Sequence, residues 1–511
     1  MESAPAPAGR RTDRPVGFIE TIMMEAITPG ANSSSLLLLN VTVAVLAICI
    51  VLSLITGLAN IHMVILLGLT VSLGTALTLF QVELHKQAAG GRARVGIPRT
   101  VTVGGATAIV VLTSEPDRML RTVLGTSAIA GGIGTGLFAH YYEHDVCRPP
   151  DLYYHKDSLN VNLVRKCPSL TSKYEPTFWM FGAHLQTILG AFFRARPAVN
   201  LQRDIVECRD GGHLSLTWEA DSYMASRDDT PILLILPGLT GSSRSKYICQ
   251  LMKDASKQDL RPVVLGYRGF DVNLRTPMVT TCATVGDVED SLMFLRKKHP
   301  DAPIYAIGFS MGANMLVKYL GSSHREGRPQ IVSGAVAVSN PFDFVKLSIK
   351  LREFSNEWLY SRPLCMRVKW FINQHQENAQ ILAERVHPTA FAAATIYELD
   401  DRLSRHLYGI ATVEEYYMLS SSLHFLEDVD CPLLLLNARD DPFLGGEIPY
   451  EMCQRNPNLM LAVTERGGHV AWTTGVLPRS WMLETTLQYL SALRCLHMVD
   501  RRHDEQEARG H

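Results

Sequence analysis

From Ala26 to Val82 the chain carries no Asp, Glu, Lys or Arg, and His62 is the one imidazole in that stretch. Nothing else in the sequence restricts the possible folds as much. Leu36–Thr56 and Ile61–Leu79 each have the roughly 20 residues needed to cross a ~30 Å hydrocarbon core. Gly57-Leu-Ala-Asn60 supplies a short turn between them. Residues 31–84 therefore read as a transmembrane helical hairpin behind an N-terminal tail, 1–30. A cleaved signal peptide fits poorly, because the apolar stretch is too long and starts too far from the first residue. Arg10, Arg11 and Arg14 precede the hairpin, and Lys86, Arg92, Arg94 and Arg99 follow it. The positive-inside tendency then places both flanks in the cytosol.

Beyond a basic linker at 85–121, Thr122–Ala139 is a second uncharged block, rich in glycine, and reads as a third membrane span at 122–139. Small residues suit close helix packing in lipid. Thr100–Ser114 is also uncharged, and its β-branched content permits a strand or a re-entrant segment. The number of crossings decides the side. Three put the C-terminal bulk in the lumen or outside, whereas two or four leave it in the cytosol. No Asn-x-Ser/Thr sequon occurs after residue 140, which leans toward the cytosol.

The chain has 49 basic and 50 acidic side chains, a formal charge of −1. That balance gives no reason to expect a nucleic-acid partner, which normally meets a basic face. Ten cysteines are scattered without a C-x-x-C or a Cys/His cluster at zinc spacing, so neither a disulfide framework nor a metal site is implied. They read as buried or free thiols.

From about Tyr141 the texture changes to short apolar runs alternating with amphipathic stretches, the pattern of strands joined by crossover helices. Pro231–Leu236, Pro262–Gly266, Ala302–Ile307, Ile331–Ser339 and Pro432–Asn437 are near-continuous apolar runs, as expected of strands covered on both faces. Val285–Lys297 and Met311–Leu320 have helical spacing. The sequence therefore predicts an α/β domain with a mostly parallel sheet over 140–499. A long aromatic segment, about 342–428, interrupts the rhythm as a helical cap insertion, and 500–511 reads as a charged, frayed tail.

Gly308-Phe309-Ser310-Met311-Gly312 lies between a predicted strand and a predicted helix, the context a G-x-S-x-G nucleophile turn requires. Glycines on either side let neighbouring backbone pass a strained serine closely. The serine then stands at a helix N-terminus, which favours developing negative charge. A serine hydroxyl needs a base, itself held by an acid. In Ser…Asp…His order, Asn437-Ala-Arg-Asp440-Asp441-Pro442 follows an apolar strand, and Gly467-Gly468-His469 follows Leu459–Thr464. Ser310, Asp441 and His469 are the expected catalytic residues, Asp440 being the alternative acid and otherwise a solvated or capping carboxylate. The two glycines are read as leaving the loop free to swing the imidazole over Ser310. For the oxyanion, the amides of Met311 and of Leu239, in Leu236-Pro-Gly-Leu-Thr-Gly241, are the expected donors. His140 and Asp145 form an H-x4-D, read as coincidence.

Two resemblances follow from these landmarks. Pro149–Val499 resembles the AB-hydrolase 4 family of membrane-anchored lipid esterases, through Pro149-Pro-Asp-Leu-Tyr153, Cys167-Pro-Ser-Leu170, His184-Leu-Gln-Thr187, Pro237-Gly-Leu-Thr-Gly241, Tyr267-Arg-Gly269, the serine pentapeptide, Asn437–Pro442 and Gly467-Gly-His469. The resemblance implies an α/β-hydrolase fold, no cofactor and an acyl-ester substrate of monoacylglycerol or phospholipid type. It also favours Asp441 over Asp440. His184 and Gln186 belong to the matching set as supporting residues. An ester synthase or acyltransferase using the same three residues is the rival chemistry.

Separately, Gly17-Phe18, Thr28-Pro-Gly30, Asn40, Asn60-Ile-His62 and Val82-Glu-Leu84 resemble the small two-span endoplasmic-reticulum proteins that assist V-ATPase assembly in fungi. That resemblance covers about 17–86. It implies an endoplasmic-reticulum membrane location and V-ATPase assembly components as partners, and with them a non-enzymatic alternative role.

Overall fold

A computed structural model describes residues 99–103, 106–110 and 135–509, apart from positions 157 and 375. The hairpin at 31–84 and most of the third span at 122–139 lie outside the described residues. Among the described residues no helix is long and apolar enough to cross a membrane. A unit boundary falls between Tyr142 and Glu143. Within the stretch read as a basic linker, β1 (Arg99–Val103) pairs antiparallel with β2 (Ala106–Val110), the strand alternative that its β-branched content permits.

After Glu143, nine strands form one sheet: β3 (Asp151–Tyr154), β4 (Leu201–Glu207), β5 (His213–Glu219), β6 (Ile232–Leu236), β7 (Arg261–Gly266), β8 (Ile304–Phe309), β9 (Val332–Val338), β10 (Leu433–Ala438) and β11 (Leu459–Thr464). Their spatial order is β3-β11-β10-β9-β8-β6-β7-β5-β4. The six central strands run parallel. Antiparallel β3 closes one edge, and β5 with β4 the other.

Side chains of a strand alternate between faces, and the core divides accordingly. Ile232, Leu234 and Leu236 join one buried cluster with Leu433 and Leu435. Leu233 and Ile235 join the opposite one with Leu434 and Leu436. Burying each such side chain contributes roughly 1.5–3 kcal/mol, so the apolar runs of the sequence become central strands buried on both faces.

The helices that matter for the site are α1 (Ala183–Phe193), α2 (Lys246–Ser256), α3 (Gly286–Lys298) and α4 (Met311–Arg325). The insertion between β9 and β10 is helical, as its pattern predicts, and includes α5 (Phe344–Leu351), α6 (Arg362–Ile372) and α7 (Val413–Ser420). The last helix, α8 (Trp481–Arg509), overturns the frayed-tail reading. It runs on through Glu505-Gln-Glu-Ala-Arg509, residues of high helix propensity. The nine described cysteines are free thiols, eight of them buried and Cys495 exposed.

Candidate active site

Six of the seven described non-glycine residues with positive φ sit in loops after parallel strands: Thr240, Ser310, Ser339, Phe342, Val470 and Trp472. Strain gathers there because the loops at the carboxyl ends of parallel strands must hold side chains at fixed positions. Ser310 is the sharpest case, with φ 53° and ψ −115° between β8 and α4. A Cβ at Gly308 would lie 2.4 Å from the Gly312 oxygen, and one at Gly312 would lie 2.3 Å from the Leu236 oxygen. Both glycines are therefore required by backbone contact on either side of the serine.

The structure brings the three expected side chains together. His469 Nε2 lies 2.7 Å from Ser310 Oγ, and His469 Nδ1 lies 2.9 and 3.0 Å from the two Asp441 oxygens. Asp441 is 1% exposed. Its Oδ1 also accepts from the Phe443 amide at 2.7 Å, and the Lys350 ammonium donates to its carbonyl at 3.0 Å. The Phe443 ring packs against the imidazole, centroids 4.3 Å apart.

The loop carrying His469 is pinned, contrary to the free swing expected of its glycines. Gly468 N–H donates to Asp440 Oδ1, His469 N–H to Thr187 Oγ1 and Val470 N–H to Ser339 Oγ, each at 2.9 Å. Gly467 is there for closeness, since a Cβ would lie 2.5 Å from Trp472 Nε1, and Gly468 takes φ +60°. Asp440 is thus a capping carboxylate, but an enclosed one: its Oδ2 is buried with no partner among the described residues. Burial pushes its carboxyl up to about 7, against the bond from Gly468, which favours the ionised form.

The loop after β6 is held just as firmly. Tyr267 donates to the Pro237 carbonyl at 2.7 Å, and Gly238 N–H donates to the Tyr247 hydroxyl at 3.2 Å. The Leu239 and Met311 amides have no acceptor among the described residues, and both residues line a narrow cavity of about 80 Å³. Val368, Ile372, Ile396, Leu399 and Leu403 of the insertion wall its apolar side, and Asp400 and Ser404 stand at a polar one. Two larger clefts, about 580 and 560 Å³, contain none of the three central side chains.

Sequence reasoning assigned His184 and Gln186 a supporting role without naming what they hold, and gave Arg268 none. Arg268 of the Tyr-Arg-Gly landmark is clamped between Asp210 and Asp287, each 2.5 Å away, which fixes the chain beside Tyr267. Gln186 is fully buried and accepts from the Tyr174 hydroxyl and the Thr473 amide. His184 Nδ1 lies 2.7 Å from the Tyr360 hydroxyl of the insertion, and burial followed by Lys350 lowers its pKa. The landmarks His184-Leu-Gln-Thr187 and Tyr267-Arg-Gly269 were the available signals. Asp145 of the H-x4-D pairs with Arg148 at the surface.

Compared with known proteins, residues 231–475 match the family described as alpha/beta hydrolase fold, and residues 16–89 match the one described as ER protein Pkr1. Human phospholipase ABHD3 is 30% identical over 397 residues, which cover 75% of this chain and 96% of that protein. Mouse monoacylglycerol lipase ABHD2 is 26% identical over 372 residues, 68% of this chain and 86% of that protein. An esterase structure from Pyrococcus furiosus aligns at 17% identity and a TM-score of 0.35, covering 54% of this chain and 89% of that one. The chain belongs to the α/β-hydrolase superfamily, in its AB-hydrolase 4 family, and is a carboxylic ester hydrolase.

Proposed function

We propose that this chain is a membrane-anchored serine hydrolase that cleaves acyl esters of lipids through an acyl-enzyme on Ser310. The observation that carries the reading is the unbroken run from Ser310 Oγ through the His469 ring to Asp441. His469 takes the serine proton as Oγ attacks the ester carbonyl, and Asp441 holds the imidazole and stabilises its charged form. The Leu239 and Met311 amides receive the oxyanion. The alcohol portion leaves with the proton from His469, and water then attacks the acyl-enzyme by the same path in reverse. The apolar wall of the adjoining cavity takes the start of the acyl chain. The names of the human and mouse relatives, a phospholipase and a monoacylglycerol lipase, support a lipid substrate.

A fluorophosphonate should label the purified chain, and Ser310→Ala should abolish labelling and ester turnover together. Turnover that survives in Ser310→Ala removes the serine from the mechanism. The two aspartates should separate cleanly. Asp441→Asn should lower kcat about ten-thousandfold through loss of the correct imidazole tautomer, with the thermal midpoint nearly unchanged. Asp440→Asn should stay within about threefold of wild type, because the amide oxygen still caps Gly468. Its effect is on pH dependence. The folded carboxyl titrates near 7 and the unfolded one near 3.8, so the stability it contributes is full below the unfolded value and is lost as pH rises through 7. Thermal midpoints measured from pH 4 to 8 should therefore fall less in Asp440→Asn than in wild type.

The match at 16–89 to ER protein Pkr1 favours a second role for the N-terminal region, as an endoplasmic-reticulum hairpin contributing to V-ATPase assembly. Deleting residues 1–86 should impair assembly while leaving hydrolysis of a soluble ester intact. Unimpaired assembly removes that role.

A further inference from the structure

Helix α1 lacks any charged residue, yet it is not a core helix. Gln186 and Gly190 are buried, whereas Leu185 and Phe192 lie with half-buried Leu189 at i, i+4 and i+7 on the other side. Phe192 is 70% exposed. A helix that meets water should carry polar residues on that face, and this one exposes only His184, at its first turn, among polar side chains.

A second feature adjoins it. Thr473–Thr474 pairs antiparallel with Arg479–Ser480, forming a hairpin directly after the His469 loop. Its tip presents Val476 and Leu477, 70% and 82% exposed. Trp179 joins the two features: its indole N–H donates to the Val476 carbonyl at 3.1 Å, and its ring meets Phe193 edge-on at 5.3 Å. Contiguous exposed apolar surface of this kind marks an interaction site.

Charge identifies the partner. Between Glu175 and Asp204, and again between Glu465 and Glu484, there is no acidic residue, while Arg196 and Arg479 are exposed within those segments. Apolar and aromatic tips with exposed Arg196 and Arg479 beside them complement a lipid surface bearing phosphate headgroups, and Asp254 and Glu484 lie in the cleft that Arg479 shares with Arg194 and Lys257. We propose that the outer face of α1 and the 473–480 hairpin tip seat in the interface of an anionic bilayer. This rests on the reading of the substrate as a lipid ester, and it explains the position of the patch. The opposite side of α1 holds the His469 amide through Thr187, and the hairpin continues the His469 loop, so docking sets the rim of the site against the layer that holds the substrate.

The test uses the full chain reconstituted into vesicles of phosphatidylcholine and phosphatidylserine. A fluorophore on Leu477→Cys, in a Cys49→Ser, Cys495→Ser background, should be quenched by brominated lipid and shielded from aqueous iodide. The double variant Val476→Ser, Leu477→Ser should lose about tenfold in kcat/KM on a vesicle-embedded lipid ester and stay within about twofold on a soluble short-chain ester. Iodide access to the fluorophore, or equal turnover of both substrates relative to wild type, overturns the proposal. So does a dimer in sedimentation that the double variant dissociates, which would make a second copy the occupant. If wild type cleaves the soluble ester but no lipid ester, the substrate reading fails, while the quenching still reports independently on docking.

Discussion

Ser310 occupies a backbone conformation that costs of order 1–3 kcal/mol, and the rest of the site is arranged around holding it there. Two glycines admit the β8–α4 turn between flanking backbones at distances no Cβ would tolerate. The Ser310 amide is tied to the Val338 carbonyl, and its own carbonyl starts α4 by accepting from Asn314. The parallel sheet makes this affordable. With both faces buried, the strand ends on either side of Ser310 have little freedom to relax, so the strain persists where the hydroxyl meets His469 Nε2.

Fixing the histidine is a separate problem, solved by contacts from distant parts of the chain. Thr187 on α1, Ser339 after β9 and Asp440 after β10 each accept one amide of the 468–470 loop. Lys350 of the insertion bonds the Asp441 carbonyl, and Tyr360 reaches His184. The insertion thus braces the acid while walling the cavity beside Leu239 and Met311. Substrate access and alignment of the charge relay are linked through the same helices.

The central strands were legible because burial on both faces demands unbroken apolar runs, as in Leu433–Ala438. The edge strand Leu201–Glu207 was not, since its Gln202, Arg203 and Asp204 face partly to solvent, and its pairing with β5 depends on the tertiary fold. Helix α1 gave little amphipathic signal, because its outward face is apolar apart from His184. The order of Ser310, Asp441 and His469 could be read from local turn chemistry. Thr187 and Tyr267 could not, being 282 and 30 residues from the groups they hold. The glycines at 467 and 468 misled in an instructive way. Gly serves close approach as well as backbone freedom: Gly467 sits against Trp472, whereas Gly468 takes φ +60°.

The most direct measurement of the central claim is chemical capture of the intermediate. Acid quenching during turnover of a lipid ester, followed by peptide mass spectrometry, should find the substrate's acyl group esterified to Ser310 in wild type and no adduct in Ser310→Ala. Turnover with no acyl adduct at Ser310, or with the adduct on another side chain, would contradict the account.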